Sequence, residues 1–296
     1  MNSQPQRVHC TIVDTQSLWN VGLWQISFSA GQPEQGFRVV FQKWAGETHG
    51  ENRGHLVLAR ILRKSQGRLE PGFVLEEFFP TADGRCLARF RHATEESFHL
   101  SVVVTVSLEE TPSSDSACEH GGGSQAQPIA VLEAVLLMRT EAGETRPRVV
   151  LLDEIDALLT EPLGQIRVRG EDLRNSAIPL VPQNMVVGQS EGDIAFDVVT
   201  WRLPENAWLL RWVHPLDGLP LDARELSELQ INPAVRTVTG SPPEVCGYEI
   251  LPGGIEKGVT FAARCLYILG EGAVPKGIVT GRLQQFLLSQ PPLSEG

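Results

Sequence analysis

Residues 149–156 read Val-Val-Leu-Leu-Asp-Glu-Ile-Asp, so two adjacent carboxylates, Asp153 and Glu154, directly follow four apolar residues. A carboxylate pair at the end of a buried strand can support a magnesium ion and polarise a water for phosphoryl chemistry. That chemistry also needs a glycine-rich loop ending in Lys-Ser/Thr to cradle phosphates. No G-x-x-x-x-G-K-[ST] occurs in the chain. The reading left for this stretch is a buried strand leading into an acidic turn. His55, His92, His99 and His214 have no cysteine or serine nucleophile at a recognisable spacing, so no catalytic triad is assigned. Glu76, Glu77 and Glu154 remain candidate single carboxylates, because geometry rather than spacing defines such sites.

Three short stretches resemble signatures of known families. Val149 to Asp156 looks like the Walker B element of ATPases without its partner loop. Gly170-Glu171-Asp172-Leu173 resembles the Gly-x-Asp-Leu start of the deoxyuridine triphosphatase family, but that family's Arg-Ser-Ser-type phosphate contact has no counterpart here. The resemblance covers only these residues and implies, at most, a catalytically dead relative. Gly22-Leu23-Trp24 is similar to the Gly-x-Trp signature of lipocalins, whose tryptophan closes the base of a barrel. That similarity implies inner faces lining a pocket for an apolar ligand.

Aromatic residues supply the candidate binding positions. Trp208, Leu210, Trp212 and His214 share one face if their segment is a strand, with Trp201 nearby. Core packing is the default for such a face, and a ligand or partner surface is the sharper alternative. The candidate ligand- or partner-binding set is Trp24, Trp44, Trp208, Trp212 and His214, with no catalytic residue and no metal ligand assigned. Arg85, Arg89 and Arg91 are possible anion contacts, set against the plainer reading of charges on an exposed strand face.

The elements that must position these residues are written in the two-residue period of β-strands. Phe98, Leu100, Val102, Val104, Val106 and Leu108 alternate with His99, Ser101, Val103, Thr105, Ser107 and Glu109. Upstream, strands are expected over 24–29, 37–44, 55–64, 73–79 and 85–91, with Ala82-Asp83-Gly84 as a tight hairpin turn. Consecutive strands so closely joined make an antiparallel meander that curls into a barrel or a two-layer sandwich. Thr111 to Pro128 is rich in serine, glycine and proline and reads as a linker or long loop. Beyond it, 129–140 and 148–155 suggest a hairpin, although 131–138 alone also fits a short helix. Strands follow over 165–168, 178–187, 194–203, 208–214 and 260–269, and 281–289 fits strand or short helix. One helix starts at Asp222, with Glu225 reaching back and Leu221 and Leu226 as its hydrophobic staple. The tetrapeptide Ala-Gly-Glu-Thr occurs at both 45–48 and 142–145, a hint of duplication.

The expected architecture is therefore mainly β. Residues 1–110 form an antiparallel lobe, 111–128 a linker, and 129–296 a second β-rich lobe with one or two short helices. The net charge of -11 and the lack of a basic run disfavour nucleic acid. No signal-peptide pattern opens the sequence and no apolar run reaches the length of a membrane helix, so a soluble, cytoplasmic protein without membrane insertion is expected. The five cysteines, Cys10, Cys86, Cys118, Cys246 and Cys265, are scattered without a Cys-x-x-Cys pair. They suggest reduced thiols acting as small core residues, with no zinc site and no cofactor. These features lead to a non-enzymatic binding or interaction protein that uses a β-scaffold to recognise an apolar small molecule or another protein. The alternatives are a hydrolase or lyase built from scattered Asp, Glu and His in a barrel mouth, and a structural assembly subunit.

Overall fold

The alternating run from Phe98 to Glu110 forms a single strand, and its Phe98, Leu100, Val102, Val104 and Val106 are each no more than 1% exposed. The computed structural model describes residues 6–45, 56–65, 68–110, 128–145, 148–155, 161–169, 195–213, 218–221, 225–226, 230–231, 244–250, 255–272, 274, 281–286 and 289. In chain order the strands are β1 (Gln6–Arg7), β2 (Thr11–Val13), β3 (Gln16–Val21), β4 (Trp24–Ser29), β5 (Phe37–Phe41), β6 (Leu56–Ser65) and β7 (Arg68–Glu70). Next come β8 (Phe73–Pro80), β9 (Cys86–His92), β10 (Phe98–Glu110), β11 (Pro128–Thr140), β12 (Glu144–Thr145), β13 (Val149–Ile155) and β14 (Glu161–Arg169). The last are β15 (Ala195–Arg202), β16 (Ala207–Val213), β17 (Gly218–Pro220), β18 (Gln230–Ile231), β19 (Glu244–Ile250), β20 (Ile255–Glu256) and β21 (Thr260–Glu271).

Two large sheets result. One has nine strands, ordered β14-β15-β16-β21-β11-β10-β9-β8 with β1 beside β10. The other has ten, ordered β17-β19-β13-β6-β5-β4-β3-β2, with β7 beside β6 and β18 beside β7. Among the described residues neither sheet closes on itself, so of the two architectures the meander allows, the protein adopts the sandwich. The meander runs through β2 to β6 in one sheet and then crosses to continue as β8-β9-β10 in the other. Residues 129–140 and 148–155, expected as a hairpin, do not pair. β11 lies between β10 and β21, and β13 lies between β6 and β19 in the opposite sheet. The segment expected as a linker connects β10 to β11, which pair with each other over their whole length. Both sheets thus take strands from before and after it. The short-helix alternative for 131–138 is overturned, whereas 281–286 is helical. Residues 225–226 are helical too, and Leu221 and Leu226 belong to one apolar cluster, while the expected cap at Asp222, strand 178–187 and residues 46–48 of the first repeated tetrapeptide lie outside the described residues.

The space between the sheets is filled by large side chains. Trp19, Trp24, Ile26, Phe28, Phe37, Val39 and Phe41 on one sheet meet Phe90, Phe98, Trp201, Leu209 and Tyr267 on the other, all within one buried cluster. Such dense filling supplies the main favourable term in folding.

One irregularity sets the facing of β6. Its pairing with β13 shifts register between Leu152 and Glu154, so that Leu58 and Ala59 together oppose Asp153. Ala59 has a φ of 48°, a conformation that β-carbons disfavour. The extra residue switches the alternation, so Leu56 and Leu58 face the core before the bulge and Ile61 after it. Arg60 is thereby turned to the outer face. Gly36 sits against this bulge with φ 66°, and a β-carbon there would lie 2.4 Å from the Leu58 carbonyl oxygen. Gly36→Ala therefore combines backbone strain with a clash against main chain, and is expected to destabilise the fold by about 3 kcal/mol or more. A urea-unfolding midpoint unchanged from wild type would contradict this account of the bulge.

Candidate functional site

The Asp153-Glu154 pair is divided between the two faces of β13, because neighbouring strand residues point opposite ways. Asp153 points into the sandwich and is 2% exposed. Its Oδ1 accepts the Ala59 amide at 2.7 Å and the Tyr267 hydroxyl at 2.9 Å, and its Oδ2 pairs with the Arg211 guanidinium. Arg211 and Tyr267 come from the opposite sheet, and the guanidinium also lies 4.7 Å from the ring centre of Tyr248. Burial alone would lower the Arg211 pKa, but Asp153, followed by Tyr248, holds it above its ordinary value. Burial and the Asp153 charge push the Tyr267 hydroxyl well up, which keeps it a donor. Glu154, on the outer face, pairs with Arg60, whose Nε donates to the Glu34 carbonyl at 2.7 Å. Both carboxylates are therefore neutralised by buried arginines and are closed to a magnesium–phosphate group.

The groups that do meet at an open site lie on the outer face of the nine-stranded sheet. Cross-strand register places Arg91, His99, Arg139 and Thr260 along one rung of β9, β10, β11 and β21. The next rung carries Arg89, Ser101, Leu137 and Ala262. A bulge in the edge strand β8, between Leu75 and Glu77, turns Glu76 and Glu77 toward the same face. Glu76 approaches Arg91 Nε at 3.5 Å and His99 Nδ1 at 3.8 Å, Glu77 accepts from Arg89 at 2.8 Å, and Glu141 lies 3.0 Å from Arg139. Of these, Glu76, Arg89, His99, Arg139 and Glu141 line a groove of about 460 Å3 with Ser101, Leu137 and Thr260. Two guanidinium groups, of Arg89 and Arg139, and two carboxylates, of Glu76 and Glu141, line it. Leu87, Val103, Val135 and Leu137 form a small buried aliphatic cluster on the same sheet face beside it. Arg139, Glu141 and Thr260 carry no signal in the sequence, since only the pairing of β11 with its neighbours brings them beside His99.

The aromatic candidates separate into two places. Trp24 is 2% exposed in the sandwich core, with its ring 4.6 Å from that of Phe41. Trp208, Leu210 and Trp212 do share one face, the outer one, where they join Ile129, Val131, Leu266 and Ile268. Leu283 and Phe286 of the helical segment 281–286 cover that face, with the Phe286 ring 5.3 Å from Trp212. Gly270 lets Trp208 lie flat, since a β-carbon there would come within 2.3 Å of the indole. The Trp44 side chain and His214 lie outside the described residues.

His92 has a structural task at the β9–β10 turn. Its Nδ1 accepts the amides of Thr94 at 3.3 Å and Glu95 at 3.0 Å, and Phe73 and Phe98 pack edge-on against its ring. Among the described residues no group of three or more His, Cys, Asp or Glu is arranged to hold a metal ion, and no helix is long and apolar enough to cross a membrane. No protein-family model matches the chain, and no curated protein matches it.

Two expectations follow. Asp153→Ala leaves the Arg211 charge buried and unpaired, which should cost about 3–5 kcal/mol in chemical denaturation, whereas the joint replacement Asp153→Leu with Arg211→Met should recover most of that loss. Burial lowers the His92 pKa below its ordinary value, with Arg63 adding to the effect against Glu95. An unfolded chain thus binds a proton there more readily than the folded one. The stability linked to His92 is full above the ordinary histidine pKa and is lost as pH falls below it toward the folded value. Thermal melts of wild type and His92→Gln between neutral and mildly acidic pH should show the steeper decline in wild type, and parallel curves would remove His92 as the cause.

Proposed function

We propose that the protein is a non-enzymatic binding protein that engages another protein through the outer face of its nine-stranded sheet, at the groove bordered by Glu76, Arg89, His99 and Arg139. The observation that carries this reading is the contrast between the sheet's two faces. The inner face is packed against the second sheet by tryptophans and phenylalanines, whereas the outer face presents half-exposed arginines and carboxylates. Half-exposed arginines and carboxylates side by side suit a protein partner whose complementary charges fix its register. The polar groove favours a polypeptide segment bearing both charge signs over an apolar small molecule. The reading is tested by affinity capture with wild type and with Arg89→Glu/Arg139→Glu, matched for folding by circular dichroism. At least one protein retained by wild type should fall about tenfold or more with the variant. Identical capture by both would remove the groove from the interaction.

One observation favours a second reading, a hydrolase. Glu76 Oε2, His99 Nδ1 and the hydroxyl-bearing Ser101 succeed one another on one sheet face, the sequence of groups that activates a serine nucleophile. Hydrolysis of an activated ester by wild type that disappears in both Ser101→Ala and His99→Ala would establish it. Equal rates in all three proteins would dismiss it.

A further inference from the structure

β8 is a terminal strand of the nine-stranded sheet, and among the described residues it pairs with β9 alone. The other terminal strands are blunted. β2 and β17 have three residues each, and β14 contains Pro162 beside a register shift. A short or proline-bearing edge offers few main-chain groups to a newcomer. In β8 the proline, Pro80, stands only at the last position. The bonding pattern of β8 follows from its two ends, where the Ala93 amide donates to the Gly72 carbonyl and the Thr81 amide to the Arg85 carbonyl. Bonded pairs in an antiparallel ladder recur at every second residue. Val74, Glu77 and Phe79 therefore bond to Arg91, Arg89 and Leu87, and the amides and carbonyls of Phe73, Leu75 and Phe78 point away from β9.

The side chains along this edge alternate in kind. Val74 and Phe79 are 44% and 38% exposed, two of the four large apolar side chains exposed among the described residues. Between them on the outer face stand Glu76 and Glu77, brought together by the bulge. Arg91 and Arg89 of β9 hold these carboxylates from one side, and both remain about half exposed. β9 meets the bulged strand with every second residue, Arg91, Arg89 and Leu87, so a strand on the free edge can do the same. A second copy of this chain is a poor occupant. Two β8 strands turned antiparallel about their centres would set Glu76 and Glu77 against the same pair, and like charges placed opposite each other are destabilising.

We propose that the free edge of β8 takes an extended segment of a partner protein as an added strand, and that this segment carries an apolar, a basic and a second apolar residue at alternate positions. The inference rests on the reading that this sheet meets a protein, and it names how that protein is held. The apolar residues lie beside Val74 and Phe79, and the basic residue beside Glu76 and Glu77. The two residues between them bond their main chain to Leu75 and Phe78. Main-chain bonds supply the affinity of such an added strand, and its alternate side chains supply the specificity.

The test uses the full chain and a synthetic peptide centred on Val-Thr-Lys-Thr-Phe, with amide hydrogen exchange as the readout. The peptide should slow exchange through 73–80 and leave the β2 edge unchanged. Replacing its Lys by Glu should weaken binding about tenfold or more. N-methylation of both Thr amides removes the ladder donors while keeping every side chain, and should abolish binding. Unaltered β8 exchange up to millimolar peptide, or equal binding of the N-methylated peptide, would overturn the proposal. So would β8 protection that rises with protein concentration in the absence of peptide, with a dimer in light scattering, which would give the edge to a second copy. Failure of the edge is separable from failure of the groove. Capture that still depends on Arg89 and Arg139 while the peptide leaves β8 unprotected keeps the groove and removes the edge, and the reverse pair of results keeps the edge and removes the groove.

Discussion

The charge on Asp153 constrains this fold more than any other single group. A carboxylate inside a sandwich of tryptophan, phenylalanine and leucine is tolerated only when its lost hydration is replaced. Three donors replace it, and they come from three strands in two sheets: the Ala59 amide of β6, Arg211 of β16 and Tyr267 of β21. Sliding one sheet over the other by a residue would separate buried opposite charges. Apolar packing alone resists such slippage weakly, because aliphatic side chains accept many neighbours. The buried pair thus selects one arrangement of the sheets, whatever its net contribution to stability.

The same carboxylate explains the bulge in β6. An extra residue in a strand leaves an amide without a ladder partner. Here the unpaired amide of Ala59 is the one that Asp153 accepts, so the irregularity and the ion pair support each other. By switching the facing of β6, the bulge carries Arg60 out of the core to Glu154 on the outer face, where each loses almost all contact with water. The bulge in β8 works in the same manner at the sheet edge. It turns Glu76 and Glu77 together toward the arginines of β9 and so builds one wall of the groove.

The outer faces of the two sheets are treated unequally. On the ten-stranded sheet, Leu62, Leu69, Val150 and Leu152 pack with Leu221 and Leu226. On the nine-stranded sheet, Leu283 and Phe286 close over Trp208 and Trp212, held in place by the Arg282–Glu109 pair and the bond from Arg264 to the Ser289 carbonyl. Further along the same sheet, ionic side chains take over around His99. A face that begins as covered aromatic core and ends as an open charged groove gives the proposed docking site a rigid floor of paired strands, which suits recognition by preformed surfaces.

Alternation alone determined much of this protein. The strand 98–110, its inward set of Phe98 to Val106, the Asp83-Gly84 hairpin and the shared face of Trp208 and Trp212 all follow from a side-chain period of two and from turn chemistry, which act within a few residues. Tertiary structure decided which strands became neighbours, because pairing partners such as β6 with β13 and β11 with β21 are set by the combined burial of many faces. It also decided the two bulges, since one inserted residue reverses every later facing and leaves no mark in composition. The groove depended on both. His99, Glu76, Arg89 and Arg91 stood out in the sequence as isolated groups, but Arg139 and Thr260 reached them only through register.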